Sequence, residues 1–138
     1  MYNKENPLES IQSYLKSTNS RYNLFSVQTV IGIINDLLDN SNKLSVEDII
    51  YLSPPAILNR FGYLWNIVLQ KSNLLTWNDF GEVIFTCVKL DILKANQDDK
   101  IEKFYEQEKK VPLLLDCNLL EEEGYITSHI SKKHKNVY

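Results

Sequence analysis

Few side chains in this sequence have the type and spacing that chemistry requires. His129 and His134 are its two histidines, and a separation of five does not place both on one face of a helix. A metal site would need further ligands, with Cys117 the only plausible thiol. Two solvated histidines in a basic tail are the simpler reading, so no metal is expected. The apolar heart of the chain contains no histidine, so acid–base chemistry there would fall to carboxylates. Glu82 is the candidate, because apolar residues flank it; if buried it needs a partner, and Arg60 is the one proposed by the sequence. The plainer alternative sets Glu82 on the wet edge of its helix. Glu121-Glu122-Glu123 reads as a solvated charge run. Asp79-Phe80-Gly81 matches the magnesium tripeptide of protein kinases, but no glycine-rich loop or His-Arg-Asp loop accompanies it, and the chain is too short for that fold. Asp79 reads instead as a helix cap. No phosphate loop, nucleophile elbow or zinc-ligand spacing occurs. Neither catalysis nor a cofactor is expected.

The elements that would position these residues centre on the stretch 53–91, which holds both tryptophans and two of the four glycines. It reads as two helices joined by a short turn at 72–75, with the rest packed around them. At 138 residues the chain can form one domain with a core of its own. The net charge of −3 weighs against nucleic acid as main partner. Cys87 lies in an apolar run and reads as a small buried hydrophobe. Two cysteines make no disulfide framework, the N-terminus lacks a signal-peptide core, and no apolar run nears the ~20 residues of a membrane span. The cytosol is the expected location.

Taken in order, residues 1–5 should fray. Asn6, Pro7 and Glu9 write a helix start, with Leu8, Ile11 and Leu15 at helical spacing. A second helix follows Ser20-Arg21-Tyr22-Asn23, carries Val27, Val30, Ile31, Ile34, Leu37 and Leu38 on one stripe, and stops at Asp39-Asn40-Ser41-Asn42. Gly32 within it predicts close approach by a neighbouring helix. A short third helix starts at Ser45, with Asp48 completing its cap, and should end before Pro54-Pro55. Ser53 would cap a fourth, running to Gln70 or Lys71 with Phe61, Leu64, Trp65 and Val68 inward. Thr76 and Asp79 cap a fifth, with Trp77, Phe80, Ile84 and Val88 inward. The run 83–88 could alternatively be a buried strand, but the cap and the 3.6 period favour helix. Residues 92–105 read either as a small hairpin or as a loop and a helix capped by Asp98 or Asp99. The run 111–115 reads as extended, and Gly124 as a break before a polar, partly mobile tail at 121–138.

The blocks Phe61-Gly62-Tyr63-Leu64 with Val68-Leu69, and Asp79-Phe80-Gly81-Glu82-Val83-Ile84-Phe85, resemble the Minf family of uncharacterised bacterial proteins. Arg21-Tyr22, Leu44-Ser45 and Asp98-Asp99 ahead of Phe104 fall in the order that family shows. The resemblance covers about residues 8–105 and implies a compact helical domain without an agreed activity. Asp91 departs from it, standing where the family places a helix-ending glycine.

The expected fold class is therefore mainly α, a bundle of about five helices over 6–120, with a winged-helix variant if 92–105 forms a hairpin. The expected function is a non-catalytic protein-interaction or accessory domain. A toxin-neutralising or defence-associated role would suit a small acidic protein. Tyr22, Tyr51, Tyr63 and Tyr105 are the candidate anchors, since tyrosine joins area to a polar handle. The first alternative is a nucleic-acid-binding regulator using Lys89, Lys94, Lys100 and Lys103, although the reading helix offers little beyond Asn78 and Lys89 for base edges. The second is a carboxylate enzyme built on Glu82.

Overall fold

Side-chain caps at the N-terminus set the starts of three helices. In the computed structural model, which describes residues 7–38 and 43–126, the helices are α1 (Pro7–Ser17), α2 (Leu24–Leu38), α3 (Val46–Phe61), α4 (Trp65–Lys71), α5 (Trp77–Lys89), α6 (Glu102–Lys110) and α7 (Leu113–Glu122). The expected fraying at 1–5, the Asn6 cap, the stop at 39–42 and the histidines and lysines of the tail lie outside the described residues. Ser45 and Asp48 cap α3 reciprocally, each side chain accepting from the other's backbone N–H, and Thr76 and Asp79 do the same for α5. Asn23 and Ser26 form a third such pair at α2, unforeseen in the sequence.

Three helices end alike. Asn19, Asn73 and Asp91 take φ of 52°, 58° and 63°, and the next amide closes back five residues in each case, for example from Ile92 to the carbonyl of Cys87 at 2.8 Å. Asp91 thus adopts the left-handed geometry that a glycine would take without strain.

The prolines do not divide α3. The expected third and fourth helices are one element up to Phe61, with Pro54 and Pro55 inside it. Only two backbone bonds are forfeited, at the carbonyls of Ile50 and Tyr51, and Tyr51 is 81% exposed, so water can replace the lost donor there. Burial of Ile57 and Leu58 beyond the prolines holds the helix together. Ser53, expected as a cap, is buried in mid-helix with its hydroxyl unpartnered.

The break comes instead at Gly62, whose φ of 58° and ψ of −141° ends α3 and starts a 3-10 turn, Gly62–Leu64. That turn resets the helical phase. Leu64, expected in the core, is 61% exposed, while Phe61, Val68 and Val88 are only half-buried. Trp65, Trp77, Phe80 and Ile84 are buried as expected.

No strand occurs among the described residues, so the hairpin at 92–105 and the winged-helix topology are not formed. Residues 92–100 are a loop, and α6 begins without an aspartate cap because Asp99 accepts from the Asn96 amide instead. The run expected to be extended at 111–115 is so only at Val111 and Pro112; α7 starts at Leu113 and crosses residue 120, and Ile126 beyond it is buried.

The central helix is α3, which α2, α4, α6 and α7 all touch, while α5 lies against α2 and α6. Trp77, Phe80 and Phe104 pack at the α5–α6 junction with ring centroids 5.7–6.4 Å apart. Gly81 permits that contact, since a Cβ there would lie 2.7 Å from the Phe104 ring.

Candidate functional site

The four candidate tyrosines divide. Tyr22 is 7% exposed and is no surface anchor. Its hydroxyl lies 2.8 Å from Asp79 Oδ1 and 2.7 Å from Glu82 Oε1. Burial, reinforced by both carboxylates, pushes the phenol well above its usual range, so it stays protonated and donates. Asp79 Oδ2 accepts from the amides of Leu75 and Thr76, and Arg21 Nη1 stands 3.3 Å from Oδ1. The sequence marks Asp79 as a cap; it does not show that the same carboxylate ties α5 to Tyr22, ahead of α2.

Glu82 accordingly has a partner, but not Arg60. Arg60 lies over Gly32 and pairs with Asp36 at 2.8 Å, because the end of α3 faces α2 rather than α5. The close approach expected at Gly32 is therefore made by this guanidinium. Tyr105 is half-buried, its phenol raised by burial and then by Glu82 and Glu102. Tyr51 and Tyr63 remain exposed, at 81% and 66%.

Glu108 is a linking side chain that sequence reasoning missed. Its Oε1 accepts from the Trp77 amide at 2.7 Å and from the Leu113 amide at 3.1 Å, so one carboxylate on α6 serves the first turns of both α5 and α7. Nothing local to Glu108 signals a role at Trp77, 31 residues away.

The two cysteines are buried and not joined in a disulfide. Burial pushes the Cys87 thiol up to about 11 and the Cys117 thiol to about 12, Asp116 adding to the latter. Neutral buried thiols are poor nucleophiles. Neither should react with an aromatic disulfide reagent at pH 8 within minutes, and both should react at once in guanidinium; fast labelling of the native protein would show the core open there. No group of three or more metal-ligating side chains occurs among the described residues, and none of the described helices is long and apolar enough to cross a membrane.

Exposed apolar side chains occur on several elements, among them Leu8 on α1, Phe25 on α2, and Tyr63, Leu64 and Ile67 on the 3-10 turn and α4, and two of them, Leu115 and Leu119, lie on α7. Its sequence, LLLDCNLLEE, places leucine on every side. Leu113 and Cys117 are wholly buried and Leu114 and Leu120 partly so, whereas Leu115 and Leu119 are 47% and 45% exposed. Asp116, Asn118, Glu121 and Glu122 interrupt the leucines, and the side that carries Leu115 and Leu119 is open. Beside it runs a groove of about 660 Å³ between α3, α6 and α7, lined by Tyr51, Leu52, Pro55 and Leu120 among others. Lys103 closes one end by its 2.6 Å ion pair with Glu47. A second, more apolar cleft of about 490 Å³ lies between α2, α3, α5 and the loop after α5, but Ile34, Val46, Ile49 and Ile84 in its floor are already buried. Tyr63, on the 3-10 turn, lines neither.

Comparison of the chain with protein-family models, with curated proteins and with solved structures finds no match. The resemblance to the Minf family rests on the sequence blocks alone, and function has to be read from the geometry.

Proposed function

We propose that this chain is a non-catalytic protein-interaction module whose docking face is formed by α3 and α7. The observation that carries the reading is the uncovered Leu115–Leu119 side of α7, whose sequence neighbours Asp116 and Leu120 line a groove together with the exposed Tyr51. Two leucines one turn apart and a nearby aromatic offer the central apolar anchor that protein interfaces use. The acid–base alternative is weaker because Glu82 Oε1 already accepts from Tyr22. The nucleic-acid alternative lacks its hairpin, and Lys103 is engaged by Glu47.

The test compares tagged full-length protein, Leu119→Glu and Tyr63→Ser as baits in nuclease-treated native lysate. A single protein should be recovered at equal amount by the first and third and lost with Leu119→Glu. The Leu119→Glu melt should stay within about 0.5 kcal/mol of wild type, as befits an exposed site. Retention by Leu119→Glu, or loss with Tyr63→Ser alone, would move the docking face away from α7.

A further inference from the structure

We infer that the partner presents an amphipathic helix whose apolar stripe is flanked by lysine or arginine, seated along α7 against α3. The inference rests on the docking reading above and adds the partner's shape and charge. Shape follows from the walls. The face is built of helices and offers no strand edge among the described residues, so an added β-strand has nothing to pair with. Leu115 and Leu119 form an i, i+4 ridge, the surface that a third helix packs against at about 8–10 Å between axes.

Charge follows from what the face leaves uncompensated. Lys103 is held by Glu47, leaving Lys110 against Glu106 and Asp116 in the groove. Asp116 is half-buried and lies near enough to Glu123, two turns on, for the two charges to interact. The last turn of α7 contains Glu121 and Glu122 and no basic residue. Carboxylates at the negative end of a helix are unfavourable without a cation, and the last turn of α7 itself supplies none. Burial, and then Glu123, raises the Asp116 carboxyl, so the native state holds that proton more tightly than the unfolded chain does. The stabilisation this gives is present in acid and lost as pH rises through the folded value. At neutral pH the Asp116 charge therefore works against folding, which fits a group that an incoming cation neutralises.

The experiment titrates labelled model helices into the full chain at physiological salt, read by fluorescence anisotropy. One probe is a leucine–lysine amphipathic peptide, the other its leucine–glutamate counterpart. The lysine probe should bind more tightly, Leu119→Glu should abolish binding, and Asp116→Lys should weaken the lysine probe about tenfold while strengthening the glutamate probe. Asp116→Asn should raise the melting temperature at pH 7 and yet weaken the lysine probe, a pairing that a purely structural role would not give. Preference for the glutamate probe, or indifference to Asp116→Lys, would overturn the charge inference while loss with Leu119→Glu kept the docking face. Binding of both probes unaffected by Leu119→Glu would overturn the docking face itself. Sedimentation should show a monomer; a dimer dispersed by Leu119→Glu would make a second copy the occupant and overturn the proposal.

Discussion

Replacing Asp79 by alanine is expected to cost about 3–5 kcal/mol, because it orphans the amides of Leu75 and Thr76 and leaves the phenol of Tyr22 with Glu82 as its one acceptor. Hydrogen bonds to a charged acceptor contribute about 1.5–3 kcal/mol each, and three sharing one carboxylate are not additive, so the expected loss is below their sum. A domain of this size is typically stable by about 5–15 kcal/mol, so the variant should lie near the edge of folding. Asp79→Asn keeps the shape and one acceptor, and should lose about half as much. Urea unfolding followed by tryptophan fluorescence gives both values. A double-mutant cycle with Tyr22→Phe should return a coupling of about 1 kcal/mol or more. An Asp79→Ala loss under about 1 kcal/mol would mean that the network behaves like a solvated surface cap.

The second large effect is expected at Gly81, where even one methyl group is too many. Alanine in the middle of a helix normally gains about 1 kcal/mol over glycine. At Gly81 the added Cβ would sit 2.7–2.9 Å from three atoms of Phe104, which is wholly buried and flanked by Trp77 and Phe80. The ring cannot retreat, and overpacking of this kind costs about 1–3 kcal/mol, so Gly81→Ala should destabilise and Gly81→Val more so. Gly32 is the control. Its added Cβ also falls 2.7 Å from a neighbour, but that neighbour is the exposed end of Arg60. Displacing the Arg60–Asp36 pair costs no more than about 1 kcal/mol, so Gly32→Ala should be close to neutral. Thermal melts of the two variants decide the matter, and a stabilised Gly81→Ala would disprove the packing account.

The helix starts at Ser45 and Thr76, the inward faces of Trp77, Phe80 and Ile84 and the break near Gly124 were legible because each is encoded within about one turn of chain, whereas the crowding at Gly32 comes from the Arg60 side chain 28 residues on. Caps join residues three apart, and the apolar period repeats over four. Where the reading failed, a local rule met a distant contact. Pro54-Pro55 looks like a terminator, but the buried Ile57 and Leu58 keep α3 whole. Leu64 fits the apolar stripe only if Gly62 leaves the helical phase unchanged, and its φ of 58° does not. Glu82 needed a partner, and the sequence could supply only a charge of opposite sign; the partner is a phenol 60 residues earlier.

The candidate site shows the same division. The leucines between 113 and 120 are plain in the sequence, which nevertheless reads 111–115 as extended and signals no helix there, whereas the structure forms α7 over Leu113–Glu122. Which side the chain covers itself was decided by tertiary packing, which turns Leu113 and Cys117 onto α3 and leaves Leu115 and Leu119 outside. The sequence alone determined the helical class, the caps at Ser45 and Thr76 and the amount of apolar surface to be buried, since these depend on residues a few positions apart. Only the tertiary structure decided which carboxylates pair, where Glu108 caps and which leucines remain exposed, because those contacts join residues that the chain keeps tens of positions apart.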